Sequence, residues 1–295
     1  MTDISIIIRT LNEAKWLPEL LSAIEKQETA GLAYNVVLVD SGSTDGTLEI
    51  AKQFGCQIET IDKSEFTFGR SLNVGCDAAP GRYLVMISGH CIPVGADWLL
   101  ELCLPLENGQ CDYSYGRQIW REGYSKYSEQ QLFQKYFPEK SQMPQDGFFC
   151  NNANSAVSKK AWSQFRFDEE VTGLEDMVLA KQICEAGGKI GYVADSVVEH
   201  IHEETWPQVK RRYEREAIAL QGIMPEVHVT FFDFLRYTTA GIMLDMSAAL
   251  QEKRLLKEFK SIVLFRTMQF WGTYRGNNDH RKLSRQKREK YFYPK

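Results

Sequence analysis

Several absences bound what this chain can be. No two of its seven cysteines form a CxxC pair, and they are scattered from Cys56 to Cys184. A zinc ribbon is thereby excluded, and reduced thiols in a cytoplasmic protein are expected over a disulfide framework. No uninterrupted apolar run reaches the roughly 18 residues a bilayer span needs. The nearest candidate, FFDFLRYTTAGIMLDMSAAL, is cut by Asp233, Arg236 and Asp245. The amino terminus, MTDISIII, has no basic n-region, so no signal peptide is expected. No repeat of about 20–50 residues and no low-complexity tract occurs, which sets aside solenoids and linkers. Asp-x-Asp occurs nowhere in the chain.

What is present describes a globular protein. The 295 residues are 43% hydrophobic and 25% charged, enough for one large domain or two small ones with a real core. The net charge of −4 conceals a split. Residues 1–205 hold 17 Lys+Arg against 30 Asp+Glu, or −13, and residues 206–295 hold 18 against 9, or +9. The last sixteen residues, HRKLSRQKREKYFYPK, carry seven basic residues and one acidic one. A basic region of this kind faces something anionic, or is a solvated helix face with a tail. Nucleic acid is not the expected anion, because the body is acidic and carries no recognition motif.

Strands and helices alternate along the body. ISIIIRT and NVVLVD are short, fully apolar strands, as in a parallel sheet covered on both faces. Between them, residues 12–27 place Trp16, Leu17, Leu20, Leu21 and Ile24 at helical spacing. The turn SGSTDGT offers Ser and Thr caps to a helix through LEIAKQF. YLVMIS is a third strand, and DWLLELCLPL a helix. Beyond residue 110 the pattern is more mixed, with strands at YSYGRQIW and KIGYVA and a helix at EDMVLAKQICEAG. The region after 205 reads as helical throughout. Alternation of this kind predicts an α/β fold with right-handed crossovers, whose ligands bind at the carboxyl edge of the sheet.

Five stretches fall at that edge or in loops after it: IIIRTLNE, VVLVDSGSTDGT, RSLNVG, the strand ending in SGHC, and GLED. Each is weak alone. In this order and spacing, over residues 4 to about 205, they resemble family-2 glycosyltransferases of the GT-A fold. The resemblance implies a Rossmann-like, mainly parallel sheet flanked by helices, with a helical carboxyl-terminal extension. Its domains would be a catalytic part over 1–205, divided into a nucleotide half (1–110) and an acceptor half (111–205), and a basic helical part over 206–295. Thr10, Asn12 and Glu13 would line the nucleotide cleft, although Glu13 also suits a helix start. Asp40 would accept from a pyrimidine N–H, or else cap a helix. Arg70 and Asn73 match nucleotide-contacting positions, although Arg70 could equally be a surface ion pair. Glu175 and Asp176 are the catalytic pair, with Asp176 as the base that deprotonates the acceptor hydroxyl. A helix amino terminus would keep it ionised, and Gly173 would allow a sharp turn before it.

Most relatives end the metal-edge strand in Asp-x-Asp, which holds a divalent cation against the diphosphate. Ser88 and His90 stand at the two positions here. The related polypeptide N-acetylgalactosaminyltransferases use Asp-x-His, so His90 can still ligate Mn²⁺ or Mg²⁺ through neutral imidazole. His200 is the second expected ligand and His202 a third candidate, because residues 198, 200 and 202 share one face of a strand. Such a site would be weak and completed by the donor diphosphate. The metal-free alternative has His90, His200, Lys210, Arg211 and Arg212 hold the diphosphate directly. Arg117 and Gln118, with Asn151, Asn152 and Asn154, would face the sugars, as amides suit hydroxyls.

The expected function is therefore inverting transfer of a sugar from a nucleotide-sugar donor, UDP- or dTDP-linked, to a glycan or lipid-linked glycan. A nucleotidyltransferase shares the pyrimidine cleft but uses two carboxylate metal ligands, which are missing here. The alternative from another class is an inactive GT-A scaffold that binds glycan or a partner glycosyltransferase. The basic amphipathic stretches at 206–221 and 254–274, with the tail, would lie on the anionic inner face of a membrane. Equally, they would pack on the body or join a homo-oligomer.

Overall fold

The computed structural model describes residues 2–279 and 291–292. Most of the basic tail expected at a membrane thus lies outside the described residues. The chain forms two compact units. One comprises residues 1–119, 137–170 and 175–201, and the other residues 120–136, 171–174 and 202–295. The division expected after residue 205 therefore falls after Ile201, and two inner segments join the second unit. The reason is packing: Tyr127, inside the first of those segments, is buried in a cluster with Ala249 and Ile262.

The first unit is built on an eight-stranded sheet. Its strands are β1 (Ile4–Thr10), β2 (Tyr34–Asp40), β3 (Gln57–Thr60), β4 (Tyr83–Ser88), β5 (Cys91–Pro93), β6 (Tyr113–Ile119), β7 (Asn154–Ser158) and β8 (Ile190–His200). They lie in the order β3-β2-β1-β4-β7-β6-β8-β5. Helices α1 (Leu17–Glu25), α2 (Thr47–Gln53), α3 (Phe68–Ala78), α4 (Trp98–Glu107), α6 (Lys159–Phe165) and α7 (Glu175–Glu185) belong to this unit. Helices α5 (Tyr127–Tyr136), α8 (Trp206–Ile223), α9 (Phe231–Gln251) and α10 (Leu255–Asn277) belong to the other.

Ile4, Ile6, Ile7 and Ile8 of β1 are all fully buried, as a strand covered on both faces requires. β1 runs parallel to β2 on one side and to β4 on the other. Thr10 pairs with Asp40 and Arg9 with Ser88, so the three strands end level. The chain order reverses at β1, and the loops after β1, β2 and β4 leave the same edge. That edge is where a ligand crevice forms in an open α/β sheet. β7 then runs antiparallel to β4, and β5 antiparallel to β8, with Cys91 opposite His200. The sheet is mixed.

Two local expectations change. The first helix begins at Leu17, five residues later than its apolar spacing predicted, because Asn12 adopts φ 59° and bends the chain. Leu17, Leu20, Leu21 and Ile24 still form its buried face. α2 is not capped by Ser or Thr: Gly46 is its N-cap at φ 97°, and the Asp45 carboxylate accepts from the Thr47 N–H at 3.1 Å.

In the second unit α8 and α10 meet backbone to backbone. A Cβ on Gly272 would collide with the Lys210 carbonyl, and one on Gly276 with that of Glu214. α9 is tied to α10 by Arg266, whose guanidinium donates twice to Asp245 at 2.7 Å in a buried pair. A second ionic cluster joins Arg212 to Glu129 and Glu204, each at 2.7 Å, with His202 Nδ1 2.7 Å from Glu129. Burial alone would raise the Glu129 carboxyl, but His202 and Arg212 overcome it and hold the group at about 2.

Candidate active site

The β2 turn is organised by Asp40. Its carboxylate accepts from Thr10 Oγ1 at 3.0 Å, the Gly42 N–H at 2.8 Å, the Ser43 N–H at 2.9 Å and Ser43 Oγ. A carboxylate has about four acceptor positions. All four are taken and Asp40 is 2% exposed, so the carboxylate builds the turn here, and the expected bond to a pyrimidine would require one of these partners to give way. Thr10 is buried with it. Asn12 stitches the first loop to the second: its N–H donates to Ser43 Oγ and its Oδ1 accepts from the Thr44 N–H.

Glu13 does something the sequence did not indicate. Its Oε1 lies 2.9 Å from His90 Nδ1. A carboxylate accepts, so Nδ1 is the donor of this pair. The intervening Gly89 makes this contact feasible: a Cβ there would stand 2.8 Å from Glu13 Cγ. His200 is held in parallel fashion, with Nδ1 2.7 Å from Oε1 of the buried Gln118. The two imidazoles stack with centroids 5.3 Å apart. Pairing of β5 with β8 brings them together, and the Ile201 N–H donates to the His90 carbonyl at 3.2 Å. His202 falls in the second unit, on Glu129.

Glu175 and Asp176 open α7. The bend before them is at Leu174, with φ 58°, whereas Gly173, expected to provide it, does not have positive φ. Both carboxylates are buried. Glu175 Oε1 accepts from Arg9 at 3.1 Å, and Arg9 also donates to the Phe68 carbonyl and stacks on the Phe68 ring. Asp176 accepts from the Asn152 N–H at 2.9 Å and the Met177 N–H at 2.8 Å. Burial first, then the Glu175 charge, pushes the Asp176 carboxyl well above the ordinary range, while those N–H groups and Arg9 pull the other way. The helix terminus was expected to keep Asp176 ionised with ease, and desolvation wins instead.

The dipeptide Asn152–Ala153 links the Asp176 carboxylate to the end of β4. Its Asn152 N–H bonds Asp176, and its Ala153 carbonyl accepts from the Ser88 N–H at 3.4 Å. Asn152 itself points inward, accepting from Tyr113 Oη and Ser155 Oγ, so it supports the base from behind and does not face a sugar. Thus Arg9, Glu13, Ser88, His90, Asn152, Glu175, Asp176 and His200 converge on one edge.

Other expected contacts do not join them. Asn73 is buried and fully used by Phe167, Glu169 and Trp162, so it clamps α3 to the segment around residue 167. Arg70 forms an exposed ion pair with Glu65, and Arg117 one with Glu139. Asn154 is fully buried, bonded to Trp98, Arg117 and Ser196. Asn151 caps its own turn through the Ala153 N–H. Arg9 lies within IIIRTLNE, but a strand arginine there gives no sign of its partner, and only the register opposite Ser88 places it at this edge.

The chain is 25% identical over 225 residues to the O-antigen chain rhamnosyltransferase RfbN of Salmonella typhimurium, covering 71% of this chain and 70% of that one. Among solved structures, the mannosyltransferase PcManGT of Pyrobaculum calidifontis, in complex with GDP-Man and Mn²⁺, superposes with TM-score 0.65 at 16% identity, over 94% of this chain and 88% of that one. TarS 1–349 of S. aureus with UDP-GlcNAc gives TM-score 0.56 at 14% identity, over 96% and 95%. Both show the GT-A fold. Residues 5–165, more than half of the chain, match the family model "Glycosyl transferase family 2", and the chain is a glycosyltransferase belonging to that family.

Proposed function

We propose that the protein is an inverting glycosyltransferase that moves a sugar from a UDP- or dTDP-sugar to a glycan or lipid-linked glycan, with Asp176 as the base. The observation that carries this reading is the shared dipeptide Asn152–Ala153, which bonds Asp176 on one side and the end of β4 on the other. One buried carboxylate is thereby fixed beside the strand end where the diphosphate belongs. Asp176 takes the proton of the acceptor hydroxyl, and that oxygen forms its bond to the anomeric carbon. The bond from that carbon to the diphosphate breaks, and the nucleoside diphosphate leaves with the electron pair. Arg9 holds Glu175 in place, so a single carboxylate faces the acceptor.

A divalent cation, Mn²⁺ or Mg²⁺, fits the chemistry of the imidazole pair, because Glu13 and Gln118 orient the two stacked rings side by side through their Nδ1 atoms. His90 and His200 would hold it together with the diphosphate, and it would supply positive charge to the leaving group. The metal-free alternative is less well supported. Arg212 is committed to Glu129 and Glu204, and Lys210 lies 3.8 Å from Glu214. All seven cysteines are free thiols, in keeping with a cytoplasmic enzyme working on or near the inner face of a membrane. Among the described residues no helix is long and apolar enough to cross one.

Nucleoside diphosphate release, measured across UDP-, dTDP- and GDP-sugars with and without Mn²⁺, tests the reading. It requires donor-dependent release by the wild type and its loss in Asp176→Asn. No release with any donor, together with no thermal shift from any nucleotide, would instead fit the inactive scaffold.

A further inference from the structure

The helices expected to lie on a membrane are largely occupied. In α8, Val209 is fully buried and Arg212 is locked to two glutamates. In α10, Ile262 and Phe265 are fully buried. The exposed apolar surface lies elsewhere, on α9. Phe232 (81% exposed), Leu235, Met243 (67%), Leu244 (71%) and Leu250 (63%) occupy the side of that helix turned away from Gly241 and Asp245, which face α10. The other exposed positions on this side include Thr239, Ala240 and Ser247, small and uncharged. The apolar series resumes after the turn at Leu256, 99% exposed. A monomer does not normally leave so continuous a stripe in water.

Charge says what covers it. Arg236 (67% exposed, 3.1 Å from Asp233) lies on the same side of α9 as the stripe, and Lys253, Lys257 (80%) and Lys260 follow in the turn and at the start of α10. The acids of the same stretch are less exposed than these cations: Asp245 is buried on Arg266, Glu258 is 13% exposed between Arg254 and Lys257, and Asp233 closes the α9 cap with Thr230 while pairing with Arg236. Only Glu252 offsets the cations from a well-exposed position. A second copy on this face would set the same cations against one another, which disfavours self-association. A helix about 30 Å long with one apolar side, a cationic rim and an ion-paired inner side has the form of an interfacial helix.

We infer that α9, with the start of α10, is a docking surface for an anionic lipid bilayer, on which the helix lies flat. The test is flotation of the full chain with phosphatidylcholine vesicles, with and without phosphatidylglycerol. The wild type should float with the anionic vesicles only, and less at high salt. Met243→Glu/Leu244→Glu should reduce binding by roughly tenfold per side chain, with an unchanged thermal melt. Lys257→Glu/Lys260→Glu should reduce it by at least about fivefold per lysine. Leu256→Glu, at a nearly fully exposed position, serves if the first pair disturbs folding. Failure of the wild type to float, or flotation of all three variants like the wild type, overturns the inference. So does a wild-type dimer in sedimentation equilibrium that Met243→Glu/Leu244→Glu dissociates without changing flotation, because the face would then belong to a second copy.

Discussion

Two regions of this molecule gather the same residue types and treat them in opposite ways. At the sheet edge, Glu175 and Asp176 are adjacent and buried, with Arg9 bonded to only one of them. In the helical unit, Glu129 and Glu204 are also close and screened from water, but Arg212 reaches both. The first arrangement raises a carboxyl group and the second depresses one. The variable is the placement of the cation, not burial. The acid with a half-compensated neighbour holds a proton more readily, and the acid bonded to two cationic partners helps to join helices. Perturbed groups mark function only when read this way.

The comparison can be broken most severely at Asp176. Asp176→Asn keeps the shape and removes the proton acceptor, so turnover should fall roughly 10²–10⁴-fold while donor binding is retained. Turnover above about a tenth of wild type would remove Asp176 from the role. The counterpart is Arg212→Met, which strands two buried carboxylates and should cost about 3–5 kcal/mol in denaturant unfolding, with little change in donor affinity. It also carries a pH signature. Glu129 is depressed in the fold, so its stabilisation is present above its unfolded value near 4.5 and lost as pH falls toward about 2. In the variant that loss should move to higher pH.

A smaller effect is expected at His90. His90→Ala should weaken donor binding about tenfold, on the scale of losing one metal contact or its orientation, and remove most of the Mn²⁺ dependence. Full wild-type activity in excess chelator would end the metal reading. The smallest change sharpens the contrast. Glu175→Gln removes the like charge beside Asp176, so the acid limb of kcat/KM against pH should move down. The sign follows from the base being active when ionised: easing ionisation extends activity to lower pH. An unmoved limb would mean that another group sets it.

Much of the fold could be read from the sequence because β1, β2 and β4 are continuous apolar runs that no solvated element would carry. β7 could not. Its residues, NSAVS, look like part of an Asn-rich loop, and only tertiary partners such as Trp98 and Ser196 make Asn154 a strand residue. α3 and α5 lack a clear apolar stripe and were also missed. For the site, motif order marked loops that the fold does bring to one edge, Asp176 and His90 among them. It did not show that Asp40 and Asn73 are bonded within the fold, since a motif records that a polar residue is needed but not which partners it has. Glu13 was assigned to the cleft with no hint of its bond to His90, which depends on β1 and β4 being neighbours.

That bond changes how the missing Asp-x-Asp should be counted. The strand end has lost its acidic residues, but a carboxylate still stands 2.9 Å from the imidazole, delivered by the neighbouring loop. Negative charge has migrated one strand sideways without leaving the vicinity. An attempt to rebuild the usual acidic pair by His90→Asp would therefore set two anions near one another, across a Gly89 that brings Glu13 close to this strand end. An engineer seeking the common form of the site would have to alter residues 13, 88 and 90 together.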